Sequence, residues 1–131
     1  MADTRQDTTM AEERSDSLRE RIAKECPILY KGASSAYWEC GRGWDVPLEC
    51  LSRQLEELNR DIGVKHGLRI VVAQVKEKYA TLRFYWSLLV EGKAASGRDE
   101  AIRRMETKAA ELVREAENAC RHVCEACGTL T

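Results

Sequence analysis

Leu48, Leu51, Leu55, Leu58 and Ile62 recur at alternating spacings of three and four residues. That rhythm puts all five side chains on one stripe of a helix, and such a stripe must be buried against another element. Asp45 stands where an N-cap belongs, Pro47 falls in the first turn, and Gly63 follows the stripe directly. A helix over 45–62 is therefore predicted, and the rest of the chain has to cover it.

Two segments supply that cover. From about Asp99, the residues Ile102, Met105, Ala109, Leu112, Ala116, Ala119 and Val123 repeat the three–four rhythm over about three heptads. This seam serves either packing within the chain or a homodimer through the Ile102–Val123 helix. Its alanines allow close approach but bury little area. Between the helices, Leu68 to Val75 is rich in β-branched residues, and Leu82, Phe84 and Trp86 alternate with Arg83 and Tyr85. An antiparallel hairpin is predicted, joined through Lys78-Tyr79-Ala80-Thr81, with one face buried against helices. Val71, Ala73 and Val75 are assigned to one side of the first strand, and Ile70, Val72 and Gln74 to the other. The fold class is α+β: a hairpin or small sheet on two amphipathic helices, with a short N-terminal helix. That last helix opens on the capping-box pattern Ser17-Leu-Arg-Glu20, carries Leu18, Ile22 and Cys26, and stops at Pro27.

At 131 residues the chain has the length of one domain. Residues 1–16 lack a hydrophobic period and read as a disordered tail, leaving 17–131 as a single α+β domain. A net charge of −1 gives no support for non-specific binding to duplex phosphates. No apolar run approaches the roughly 20 residues of a membrane span, and the polar N-terminus lacks the apolar core of a secretory signal. A cytoplasmic location follows, with the six cysteines reduced.

Those cysteines are the densest chemical signal. Cys124-Glu-Ala-Cys127-Gly128 has the spacing of half a zinc site. Cys120 lies one helical turn earlier, and Cys40, beside Gly41, is the best distant partner. Zinc held by Cys40, Cys120, Cys124 and Cys127 is one reading; free thiols and a redox pair are the others. Cys26 and Cys50 fall on apolar helical faces and are assigned to the core. A second signal is Trp38-Glu-Cys-Gly-Arg42-Gly-Trp44, a turn with two glycines and two tryptophans. It is either a packed turn lidded by indoles or a ligand-facing one. A third is the hairpin set Lys76, Lys78, Arg83 and Tyr85, which would make a cationic face with an aromatic beside it. Trp38, Arg42, Trp44, Lys76, Lys78, Arg83 and Tyr85 are thus the candidate binding residues. No P-loop or H-E-x-x-H occurs, and His66 and His122 are the only histidines. A role without catalysis is expected.

Three blocks together carry a resemblance: Trp38-Glu-Cys-Gly-Arg-Gly-Trp44, Val75-Lys-Glu-Lys-Tyr-Ala-Thr-Leu-Arg-Phe-Tyr85, and Cys124-Glu-Ala-Cys127-Gly128. They resemble a family of small uncharacterised proteins of tailed bacteriophages and prophages, with E-C-G-D-G-W, V-K-E-K-F-G-T-L-R-F-Y and C-E-x-C-G blocks. The resemblance spans about residues 26–128 and implies a phage-type accessory protein in a bacterial host cell. Its expected action is to bind and inhibit a host protein, as counter-defence proteins of the anti-CRISPR kind do. The alternative is binding of a nucleotide or single-stranded nucleic acid by the hairpin face. Two positions depart from the pattern. Arg42 replaces an aspartate and reverses the charge of the turn, while Ala80 replaces a glycine and suggests a hairpin turn without positive φ.

Overall fold

The two predicted stripes meet each other, and a small sheet closes over them. The computed structural model describes residues 18–31, 38–93 and 96–130. The predicted tail, Ser17 of the capping box and parts of two loops lie outside those residues. The described chain runs through α1 (residues 18–25), β1 (Trp38–Glu39), a 3-10 turn (Arg42–Trp44) and α2 (Asp45–Leu58). A π-helical turn (Asn59–Gly63), α3 (Val64–His66), β2 (Leu68–Lys78), β3 (Thr81–Val90) and α4 (Arg98–Cys120) follow. This is the expected α+β class, with the sheet ordered β1-β2-β3. β1 runs parallel to β2, and β2 and β3 form the antiparallel hairpin.

The core sits between the helices and one face of the sheet. Leu48, Leu51 and Leu55 of α2 are buried with Met105, Ala109 and Leu112 of α4, under Leu68, Ile70, Val75, Leu82 and Phe84 of the sheet. Burying each of these larger aliphatic or aromatic side chains stabilises the fold by about 2 kcal/mol before entropy is counted. α4 packs against α2 and β3, and within its seam Met105, Ala109 and Leu112 are buried, Ile102, Ala116 and Val123 are half-buried, and Ala119 is exposed.

Local differences from the sequence reading have physical causes. Asp45 does not cap α2; it is buried and takes an ion pair from Arg19 at 2.8 Å. The α2 helix does not end at Gly63 but passes through the π turn, which aims Asn59 at β2. There Asn59 Nδ2 donates to the Ile70 carbonyl at 2.9 Å and Asn59 Oδ1 accepts from the Ile70 N–H at 2.7 Å. Gly67, with φ 69, stops the helical run instead. Cys26 is in the core as assigned, whereas Cys50 is exposed.

A register shift between Val72 and Gln74 makes Ala73 a bulge. Leu68, Ile70 and Val72 therefore point inward before it, and Val75 does so after it, in place of the two continuous faces assigned above. The hairpin closes through Tyr79 and Ala80, whose φ values are 53 and 60. Positive φ at both residues is the twist-matched two-residue turn, adopted here without its usual Asn-Gly. The expectation of a turn without positive φ at Ala80 is thus overturned: strand twist outweighs the local steric cost. Replacing Tyr79-Ala80 by Asn-Gly should stabilise the protein by about 1–2 kcal/mol, read from urea unfolding.

Candidate functional site

The C-terminal turn is bound to the Gly-Arg-Gly turn through backbone groups. The Gly43 N–H donates to the Glu125 carbonyl at 2.6 Å, and the Gly41 N–H donates to Glu125 Oε2 at 2.7 Å. Trp44 is fully buried, and its indole N–H donates to the Val123 carbonyl at 3.0 Å. A Cβ on Gly43 would overlap the carbonyls of Cys124 and Glu125, and one on Gly41 would overlap Glu125. Glycine is needed here for close approach; Gly41 has an ordinary extended backbone, with φ −69. On its own side the C-terminal turn is closed by Gly128 N–H to the Cys124 carbonyl and Cys124 N–H to the Thr129 carbonyl, both at 2.8 Å.

Arg19 fixes the same region from below. It pairs with Asp45, reaches the Trp38 and Cys40 carbonyls at 3.4 and 3.2 Å, and lies over the Trp38 ring at 5.1 Å. The Trp38 indole donates to Tyr30 Oη at 3.1 Å, and Tyr30 Oη lies 2.7 Å from Ser52 Oγ. Trp38 and Trp44 are therefore core side chains with their polar tips satisfied internally. Of the two readings of this turn, the packed one describes it; the indoles offer no surface to a ligand. Arg42 is exposed at the tip.

The four thiols expected to share a zinc ion differ in their surroundings. Cys120 is buried and feels the charge of Cys40; Cys124 and Cys127 adjoin each other at the C-terminal turn. Burial pushes the Cys40 thiol up to about 11 and the Cys120 thiol up to about 12. Exposed Cys127 behaves oppositely: the Thr129 hydroxyl, 3.1 Å from its Sγ, and the Cys124 thiol hold it below the ordinary range. Among the described residues, no three His, Cys, Asp or Glu side chains are gathered to hold a metal ion.

The hairpin candidates do come together. Lys76 lies directly opposite Arg83, Gln74 opposite Tyr85, and Lys78 opposite Thr81, on the face turned away from Val75 and Phe84. Lys76 Nζ sits 5.7 Å from the Tyr85 ring centroid. Glu39 of β1 pairs in register with Lys76 and puts a carboxylate at the rim of the face. The turn beyond is braced by Glu77, which accepts from the Ala80 N–H at 3.0 Å. Sequence reasoning missed the polar anchors of the site, Arg19 and Glu125. The signal for Glu125 was its place inside the Cys-x2-Cys turn; Arg19 carried none, since its partner is 26 residues away.

Two outcomes follow. Gly43→Ala should cost about 2–3 kcal/mol and make the C-terminal turn sensitive to limited proteolysis, because the added methyl separates the two turns. Stability should also fall as pH rises from about 9 toward 12. Burial raises Cys26 and Cys40 to about 11, and Cys120 and Tyr30 to about 12. The unfolded chain therefore loses these protons first, binds fewer protons than the folded one, and is favoured by rising pH. Denaturant midpoints measured across that range check the sign.

Comparison with protein-family models, curated proteins and solved structures found no match.

Proposed function

We propose that this protein acts by binding and not by catalysis, and that it occupies and inhibits a protein of a bacterial host through the outer face of its sheet. The observation that carries the reading is the one-sided architecture. The helices cover the inner face of the hairpin, and Lys76, Lys78, Arg83 and Tyr85 stand together on the other. Strands hold side chains in fixed register, so the ordering cost of presenting these groups is met on folding and not on binding. Cations flanking an aromatic suit an acidic protein segment, where Arg83 can engage a carboxylate through paired N–H groups and Tyr85 adds rigid apolar area. The resemblance to phage-encoded accessory proteins supports the host side of the reading, with counter-defence as its concrete form.

One observation favours a second reading. The stacking of Lys76 on Tyr85 is also how single-stranded nucleic acid is gripped, with a base on the ring and a phosphate on the ammonium. The two readings separate in one comparison of wild type with Lys76→Glu/Arg83→Glu. The proposal expects a stoichiometric host protein that the wild type retains and the variant loses, with unfolding free energy unchanged within about 0.5 kcal/mol. Retention of that protein by the variant would remove the sheet face from the account. Salt-sensitive binding of a single-stranded oligonucleotide by wild type, without a protein partner, would favour the second reading.

A further inference from the structure

The free edge of β3 has a pattern that the binding face does not use. Odd-numbered residues of β3 turn their backbone groups toward β2, and that parity continues in the Glu91 N–H, which donates to the Gly67 carbonyl. Even-numbered residues turn theirs outward, as Phe84 does when its N–H donates to Glu117 Oε2 at 3.2 Å. Beyond Phe84 the outward groups belong to Trp86 and Leu88. Among the described residues no hydrogen bond to either is recorded on this side. From Phe84 to Val90 the strand has no charge, no proline and no glycine, and Tyr85, Leu89 and Val90 are 45%, 39% and 54% exposed. Sheet edges are usually blunted by lysine, proline or a bulge, and this stretch has none of them; the bulge of the sheet lies on β2.

We propose that this edge pairs with the same edge of a second copy, antiparallel about a two-fold axis at Ser87, giving one continuous sheet across the dimer. Register and chemistry agree on that axis. Trp86 then faces Leu88 of the second copy, and these outward-pointing residues exchange both backbone hydrogen bonds. On the outer face Tyr85 falls opposite Leu89 of the second copy, an aromatic–aliphatic pair. Arg83 falls opposite Glu91 of the second copy, so the charges at the ends of the paired stretch are complementary. Glu91 is free to serve both partners, since its side chain is 58% exposed where it meets Arg69. Glu117 marks the end of the ladder by holding the Phe84 N–H. The dimer draws on Arg83 and Tyr85 of the proposed binding face and leaves Lys76 and Lys78 outside the paired stretch.

Sedimentation analysis over a range of protein concentrations tests association. A monomer–dimer equilibrium is expected, weakened about tenfold or more by Arg83→Glu and regained when Glu91→Arg is added. Ser87→Cys, with Cys50→Ser and Cys127→Ser to remove the exposed native thiols, tests the register. Residues on the axis are close enough to bridge, so mild oxidation should give a covalent dimer, while Ala73→Cys in the same background should not. A chain that stays monomeric at high concentration overturns the proposal. A dimer that forms without cross-linking through position 87 overturns it equally, because the contact then lies elsewhere.

Discussion

The contact between the Gly43 N–H and the Glu125 carbonyl joins segments 82 positions apart, and the rest of the site hangs on it. It requires two backbones to meet without side chains between them, which is why glycines stand at 41 and 43, on either side of Arg42. Once the C-terminal turn is seated, the Trp44 indole finds its acceptor at Val123 and can be buried whole. The seated turn also fixes where the chain leaves β1, the short strand that pairs parallel to β2. A two-residue strand has too few hydrogen bonds to hold its own place. Arg19 and the C-terminal turn hold it from either side.

Elsewhere the fold solves the same problem of unpaired backbone with single buried or half-buried side chains. Glu56 accepts from the N–H groups of Ile28 and Leu29, Asn59 completes the ladder at Ile70, and Glu117 satisfies Phe84. Arg98 collects the carbonyls of Gly67, Glu91 and Gly92 where the hairpin meets α4. Each reaches across elements, so helix packing and strand register are set together. The cost of losing one is high: breaking a buried ion pair such as Arg19–Asp45 by removing one partner costs about 3–5 kcal/mol. This explains why Asp45, placed for a cap, is spent on an ion pair. The pair ties α1 to the start of α2, where a cap would have served α2 alone.

What could be read in advance were periodic features. The stripe from Leu48 to Ile62 and the alternation from Leu82 to Trp86 depend only on neighbours in the chain, and both describe the molecule. The cationic set at Lys76, Lys78, Arg83 and Tyr85 was legible for the same reason, since a hairpin with a short turn leaves its register little choice. The bulge at Ala73 was not legible, because nothing local distinguishes it; its cause is the demand that both Val72 and Val75 reach the core. Positive φ at Ala80 was hidden because strand twist, not residue preference, decided it. The thiols were legible only in part, for a related reason. Spacing places Cys124 and Cys127 together, but where Cys40 and Cys120 lie depends on how the turn after β1 and the end of α4 pack, and Cys120 is buried while Cys40 is half-buried.

These elements make a rigid one-sided platform whose outer face is held in register from beneath. Its rigidity depends on the seam between the Gly-Arg-Gly turn and the C-terminal turn behaving as core. Amide hydrogen exchange by NMR measures that directly. The Gly41 and Gly43 amides and the Trp44 indole should exchange as slowly as the ladder amides around Val75, through global unfolding alone. Exchange of these three at the rate of an exposed loop, with the sheet still protected, would show the C-terminal turn to be a loose end and would contradict the account.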